Sequence, residues 1–442
     1  MEASIHRRAI PNALPPSQLL AGLPPGGSPH LLDALGPGGW GVGPGGDGPG
    51  VGLLALEPEI IFAGGLAALR DARRWLAEDR AKSEFSAAVI GSIDYELAAE
   101  LCGERSRVTR GGVTSPVRLA GFRAVYRFDW RTRVGEVVGS SRAAVDRLTE
   151  RVSGAMCHAE IPSLPLPRPA RRTSDADYVR AVESAKAFIC AGDIYQVNLS
   201  RRLDLPTPAP AELRRLFAKL ARRAGAPFSA YLEEQERTVL SASPECFLRV
   251  DGNRIETCPI KGTRPRGRTP EEDGILRLEL EASAKDRAEH VMIVDLERSD
   301  LGRVCQTGSV RVTRFCETRS FSDVHHIVSS IEGRLRDAND WPALLEATFP
   351  GGSITGAPKL RAMEIIAELE AVARGIYTGA IGVFDSAGAI DLSIAIRTAV
   401  ASDGELRLHL GGGIVADSDP EQELRETRDK GRAFARSWGL EG

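Results

Sequence analysis

Apolar side chains recur at two different spacings in the second half of the chain. Tyr178, Val179, Val182, Ala185, Phe188 and Ile189 follow a 3.6-residue period, with Ser174 placed to cap the segment and Gly192 to close it, which predicts a helix. The period then changes. Tyr195, Val197 and Leu199 alternate with Gln196, Asn198 and Ser200, the pattern of a half-buried strand. The same reading predicts strands over 238–250, 255–260, 376–384, 389–400 and 405–415, and helices near 285–301, 341–348, 358–370 and 420–436. Earlier in the chain, short β-like runs such as 122–128 alternate with helix-like segments such as 141–155. Hairpin-like spacing between several strands favours an α+β fold with antiparallel sheets over a doubly wound parallel sheet.

Punctuation divides the chain. Residues 1–50 are rich in Pro and Gly and read as loop between short strands. A second proline-rich run, 161–169, has no helical period and suggests a boundary between an N-terminal region, 1–165, and a second domain, 170–440. No internal repeat is seen.

With 442 residues, 42% apolar and 26% charged, the chain can bury a large core. A net charge of −3 gives no electrostatic argument for nucleic acid or a membrane surface. Arg7 and Arg8 precede leucines, but Pro11, Pro15 and Pro16 interrupt any signal-like core, so a cytoplasmic location is expected. The seven cysteines are odd in number and lack a C-x-x-C pair, so buried free thiols are expected.

Several constellations could carry chemistry. Asp286 with Glu289, and Glu423 with Glu426, are three apart on predicted helices, so each pair shares a face. If the two faces converge they form an oxygen-rich site suited to Mg2+, although acidic pairs at this spacing are more often solvated. Ser243-Pro244-Glu245 follows a strand, and Lys261 comes sixteen residues later in Pro259-Ile-Lys-Gly-Thr263. A desolvated lysine loses its proton more easily and becomes a nucleophile, and a shielded glutamate keeps the proton a general acid needs. A solvated turn lysine and an arginine-paired glutamate are the plainer alternatives. The segment 349–359 is glycine-rich and leads into a helix whose free amides could hold an anion, but it lacks P-loop spacing. Gly411, Gly412 and Gly413 permit close approach of a ligand, and Arg397 among apolar neighbours calls for a carboxylate partner, from protein or ligand. His325 and His326 lack metal-ligand spacing.

Eight segments in collinear order resemble the chorismate-utilising enzymes, which include anthranilate synthase component I, aminodeoxychorismate synthase component I, isochorismate synthase and salicylate synthase. They begin at Gly192, Ser243, Pro259, Glu289, His326, Gly351, Ile394 and Gly411, and the similarity runs from about Asp175 to Trp438. The resemblance implies two large antiparallel sheets packed as a sandwich with helices outside. It implies that Glu289 and Glu426 are magnesium ligands, with Asp286 and Glu423 behind them. Glu245 matches the acid that protonates the departing C4 hydroxyl, and His326 a pocket histidine. Tyr377 and Arg397 match the grip on the pyruvyl carboxylate, while Gly262, Thr263, Gly413 and Lys430 match the ring-carboxylate side, next to Gly411. Gln196 stands where isochorismate and salicylate synthases carry a water-activating lysine, which argues against both activities. Asp33 and Ala34 replace the Glu-Ser pair of tryptophan-binding relatives.

Lys261 makes the remaining choice, because anthranilate synthases generally carry alanine in Pro-Ile-x-Gly-Thr and aminodeoxychorismate synthases carry lysine. The expectation is amination of chorismate to 4-amino-4-deoxychorismate through a covalent Lys261 adduct, with Mg2+, for 4-aminobenzoate and folate or a secondary metabolite. Ammonia would come from a glutamine amidotransferase partner or from solution, since no glutaminase-like Cys/His arrangement is seen. Anthranilate synthase component I is the main rival, and an inactive scaffold of the same fold is the non-enzymatic one.

Overall fold

The computed structural model describes residues 5–439 except 25, 47, 49, 79–84, 104–108, 110–114, 156–170 and 322–323. The proline-rich run 161–169 therefore lies outside the described residues, as does Cys157. Two large sheets dominate, one of twelve strands and one of ten. Their neighbours pair antiparallel, as where Gln196–Pro206 runs along Glu405–Ile414, and Ala380–Asp385 along Ala88–Ile93. Leu32, Leu53, Phe228 and Val239 from the larger sheet meet Ile90, Phe122, Ile381 and Val383 from the smaller one in a shared core. Helices cover the outside: Tyr178 and Val182 from Asp175–Cys190 pack with Val197 and Leu199, while Leu213 and Phe217 from Pro210–Ala224 pack with Leu205 and Tyr231. The α+β sandwich expected from the sequence is the observed architecture.

Strands from before residue 156 and after residue 170 share both sheets. His30–Asp33 pairs with Phe228–Glu233 in one, and Ala88–Ile93 with Ala380–Asp385 in the other. Asp33 is buried there, where its carboxylate accepts hydrogen bonds from the Ser17 amide at 3.0 Å and the Trp130 indole at 2.7 Å. Burial pushes its pKa up to about 6, against those donors.

Two expected strands turn out to be two each, and both breaks matter. The run 238–250 divides into Thr238–Ser243, in the larger sheet, and Cys246–Asp251, in the smaller one. The run 389–400 divides into Ile390–Ile394 and Thr398–Ser402, again one in each sheet. Pro244 cannot donate to a ladder, and Arg397 takes a left-handed backbone with φ 51°, so each break has a local cause. The crossings are stitched together: the Ile394 amide donates to the Glu245 carbonyl at 3.1 Å, and the Ser243 hydroxyl to the Ile394 carbonyl at 2.6 Å. Glu245 and Arg397 are thereby held where the two sheets part.

Trp341–Thr348 starts where expected, with the Asp340 side chain accepting from the Ala343 amide at 3.0 Å and Pro342 in the first turn. The expected helix 420–436 is two, Pro420–Lys430 and Arg432–Trp438, parted at Gly431. The cysteines described are free thiols, but only Cys246 and Cys305 are buried; Cys258 and Cys316 are half-buried, and Cys102 and Cys190 are exposed. Among the described residues no helix is long and apolar enough to cross a membrane.

Candidate active site

The sheet crossings, the strand Ile260–Pro265 and the glycine triplet of Glu405–Ile414 converge on one pocket. Lys261 reaches into it, and its Nζ donates to the Ser353 carbonyl at 3.3 Å. A Cβ added at Gly413 would lie 3.2 Å from that Nζ and 3.1 Å from Nε2 of Gln196, so both side chains face the bare glycine backbone. Loss of solvent lowers the amine's pKa, opposed by Glu289, Glu245 and Glu426 and assisted by Lys430.

Glu245 is 4% exposed. Its Oε1 accepts from the Ser353 hydroxyl at 2.6 Å and from the Ile260 amide at 3.4 Å. Burial raises its pKa, while the Ser353 bond and the positive charge of Lys261 pull the other way. His326 is buried and neutral, its pKa pushed down to about 4 by desolvation. Its Nδ1 lies 3.0 Å from the Gly262 carbonyl, which can only accept, so Nδ1 carries the hydrogen and Nε2 the lone pair. The exposed Thr263 places its hydroxyl 3.1 Å from the same Nδ1. Gly262 adopts φ 65°, and a Cβ there would press on Leu280 at 2.8 Å.

Tyr377 and Arg397, the pair expected to hold a carboxylate, stand together on another side. Burial pushes the Tyr377 phenol up to about 12, and its ring stacks on His409 with centroids 5.3 Å apart. Gly411 makes room for it, since a Cβ there would stand 2.7 Å from the phenol oxygen and 2.4 Å from the Leu199 carbonyl. Desolvation lowers the pKa of Arg397, with Tyr377, Glu426 and Glu245 favouring the charged form. Behind both lies a residue that spacing did not single out. Arg374 is buried and forks onto Glu370 at 2.7 and 2.9 Å, the Asn198 carbonyl at 2.7 Å, Thr378 at 3.1 Å and the Ile354 carbonyl at 3.2 Å.

The acidic side differs. Each of the four carboxylates already has a partner: Asp286 with Arg264 at 3.1 Å, Glu289 with Lys285 at 3.9 Å, Glu423 with the Ser418 hydroxyl at 2.7 Å, and Glu426 with Lys430 at 2.5 Å. Lys430 also donates to the Gly411 carbonyl at 2.8 Å. Burial raises the pKa of Glu289, and Asp286 and Glu423 add to the rise; Glu423 is raised by burial and by Glu426. The Lys430 ammonium lowers that of Glu426. The two helices Ala284–Gly302 and Pro420–Lys430 thus bring their acids within electrostatic range. A Cβ on Gly412 would lie 3.2 Å from Glu423 Oε2 and 3.7 Å from Glu426 Oε1. Among the described residues, however, no three His, Cys, Asp or Glu groups are gathered closely enough to hold a metal ion as they stand. The all-oxygen donor set and the glycine cradle fit a hard cation such as Mg2+, and ligation would require these side chains to leave their present partners.

Three residues are placed differently from the strand pattern, and two further residues of the site lie outside any pattern. The strand pattern treated Gln196 and Asn198 as the polar face of a half-buried strand, yet both are buried, and Tyr195 from the apolar set is 72% exposed. Gln196 is fully buried with no hydrogen-bond partner for either amide atom among the described residues. Ser353 and Glu297 carried no signal by spacing. Glu297 is buried, accepts from the Thr257 hydroxyl at 2.9 Å, and has its pKa pushed up to about 8 by desolvation and by Glu245.

The two sheet crossings hold a buried carboxyl, Glu245, and an arginine, Arg397, and the Lys261 amine faces glycine backbone beside them. The chain belongs to the chorismate binding enzyme family, whose profile matches residues 58–436. It is 50% identical over 264 residues to an anthranilate synthase component 1 of Haloarcula marismortui, covering 60% of this chain and 53% of that protein. It is 39% identical over 366 residues to an aminodeoxychorismate synthase of Streptomyces griseus, covering 80% of this chain and 50% of that protein. To aminodeoxychorismate synthase component 1 of Bacillus subtilis it is 45% identical over 264 residues, 60% of this chain and 55% of that one. The chain thus spans about half the length of the curated relatives it matches. Among solved structures, anthranilate synthase component I of Streptococcus pneumoniae superposes with a TM-score of 0.75 at 27% identity, covering 87% of this chain and 92% of that one.

Proposed function

We propose that the chain is the chorismate-aminating component of an aminodeoxychorismate synthase, with residues 170–440 as its chorismate-binding domain and 1–165 as a variable N-terminal region. The observation that carries this reading is the Lys261 amine, desolvated and directed at Gly413. In this reading the neutral Lys261 amine forms a bond to C2 of chorismate. The ring double bonds shift, the C4–O bond breaks, and Glu245 gives its proton to the departing hydroxyl, which leaves as water. Ammonia then bonds to C4, the double bonds shift back, the C2–N bond breaks to return the amine to Lys261, and the proton shed by the new C4 ammonium restores Glu245. Arg397 and Tyr377 hold the pyruvyl carboxylate, and His326, as a neutral imidazole, holds the Gly262 turn. Gly262, Thr263, Gly413 and Lys430 line the ring-carboxylate side. Mg2+ would be held by Glu289 and Glu426, with Asp286 and Glu423 behind, and would neutralise the ring carboxylate. A glutamine amidotransferase partner would supply ammonia, and the pair would work in the cytoplasm.

Anthranilate synthase component I is the second reading, favoured by the relative at 50% identity that bears that name. Incubation with chorismate, Mg2+ and ammonium separates them. The first reading predicts an aminated intermediate that becomes 4-aminobenzoate only after an aminodeoxychorismate lyase is added; anthranilate appearing without a lyase would overturn it.

A further inference from the structure

We propose that Ser353 is a positioning residue that selects which oxygen of Glu245 delivers the proton and ties that carboxyl to the Lys261 amine. The proposal rests on the assignment of Glu245 as the general acid. Ser353 is 4% exposed and lies in the short turn Gly352–Ile354. It is bonded to both groups through different atoms: its hydroxyl donates to Glu245 Oε1 at 2.6 Å, and its carbonyl accepts from Lys261 Nζ at 3.3 Å.

The donor inventory decides where the proton sits. The Ile260 amide, 3.4 Å from Oε1, can only donate. With the Ser353 hydroxyl donating to the same atom, Oε1 is filled as an acceptor and the acidic proton belongs on Oε2. When Glu245 gives up that proton, the Ser353 bond becomes charge-assisted and strengthens, so it favours the products of proton transfer more than the reactants. On the other side, the carbonyl takes one N–H of the amine and limits the directions open to its lone pair. The turn is itself fixed. The Thr355 hydroxyl donates to the Gly351 carbonyl at 2.9 Å, the Ile354 carbonyl accepts from Arg374 at 3.2 Å, and a Cβ on Gly352 would touch Leu296 at 2.9 Å and Glu297 at 3.2 Å. The charged groups facing Glu245 are Lys261 from the strand Ile260–Pro265, Arg397 from the second sheet crossing, and Glu297 from the helix Ala284–Gly302.

The test follows chorismate consumption by Ser353→Ala across pH, with saturating Mg2+ and ammonium. Loss of the bond removes a stabiliser of the carboxylate, so Glu245 keeps its proton to higher pH. The alkaline limb of kcat should move up by about half a unit to one unit, while kcat at the optimum falls about tenfold and KM stays within about twofold. Ser353→Cys, whose thiol is a weaker donor of similar shape, should show the same changes at smaller size. An unmoved limb in both variants, whether kcat falls or not, would overturn the proposal and leave Ser353 a packing residue. Product identity in the wild-type arm tests the aminating assignment separately, because loss of the C4 hydroxyl is common to the aminating and anthranilate-forming readings.

Discussion

The two sides of the pocket are built in opposite ways. On the amine side, Lys261, Glu245 and Ser353 are joined by bonds of 2.6 and 3.3 Å, with Glu245 at a sheet crossing, Lys261 on the strand Ile260–Pro265 and Ser353 in the turn Gly352–Ile354. On the acidic side, Asp286, Glu289, Glu423 and Glu426 come from two helices, and each is engaged with its own arginine, lysine or serine. The first arrangement needs no exchange of partners. The second must exchange partners before it can bind a cation, and the burial and mutual repulsion that raise the pKa values of Glu289 and Glu423 favour that exchange. Under the proposed function, bond-making would fall to the side whose groups are already joined, and cation binding to the side whose side chains must rearrange.

This contrast can be broken most severely at the amine. Lys261→Ala should lose amination by on the order of 10³-fold or more, as removal of covalent nucleophiles commonly does, and steady-state rates with ammonium would measure it. Glu245→Gln keeps shape but removes the acidic proton, and kcat should fall by on the order of 10²- to 10⁴-fold with little change in KM. On the acidic side, Glu289→Gln or Glu426→Gln should act chiefly through the cation. The Mg2+ concentration for half activity should rise by about 10- to 100-fold, and full wild-type activity in excess chelator would remove the metal assignment altogether. A smaller effect is expected at Gly411→Ala, whose Cβ would stand 2.4 Å from the Leu199 carbonyl and 2.7 Å from the Tyr377 phenol. Either the strand or Tyr377 must give, costing about 1–3 kcal/mol in a denaturant melt and raising KM for chorismate.

The same contrast appears in a pH profile. Lys261 must be neutral to attack, and its pKa is lowered by burial, so activity rises with pH as the amine loses its proton. Glu245 must be protonated, and its pKa is raised by burial, so activity falls again as that proton is lost. A bell results, and Glu289→Gln should leave its alkaline limb in place.

What the sequence made legible follows the same division. Helices with caps and periodicity were read well: Ser174 does accept from the Asp177 amide, and Asp340 from the Ala343 amide. The sheet crossings were read as continuous strands because Ser243-Pro-Glu and Ile394-Ala-Ile-Arg keep their β-like composition through the break, and nothing in a single arginine announces φ 51°. Alternation places Gln196 and Asn198 on the polar face of a half-buried strand because it reports polarity, not what covers it; here that face is covered. Ser353, Arg374 and Glu297 act through contacts between distant segments, which no local spacing encodes.

The most direct test incubates the protein with chorismate and Mg2+ without ammonia and measures the intact mass, then the digested peptides. The account predicts a substrate-derived mass increase, chorismate less water, confined to the peptide carrying Lys261 and discharged by ammonium. An unmodified Lys261 peptide, together with undiminished turnover by Lys261→Ala, would contradict it.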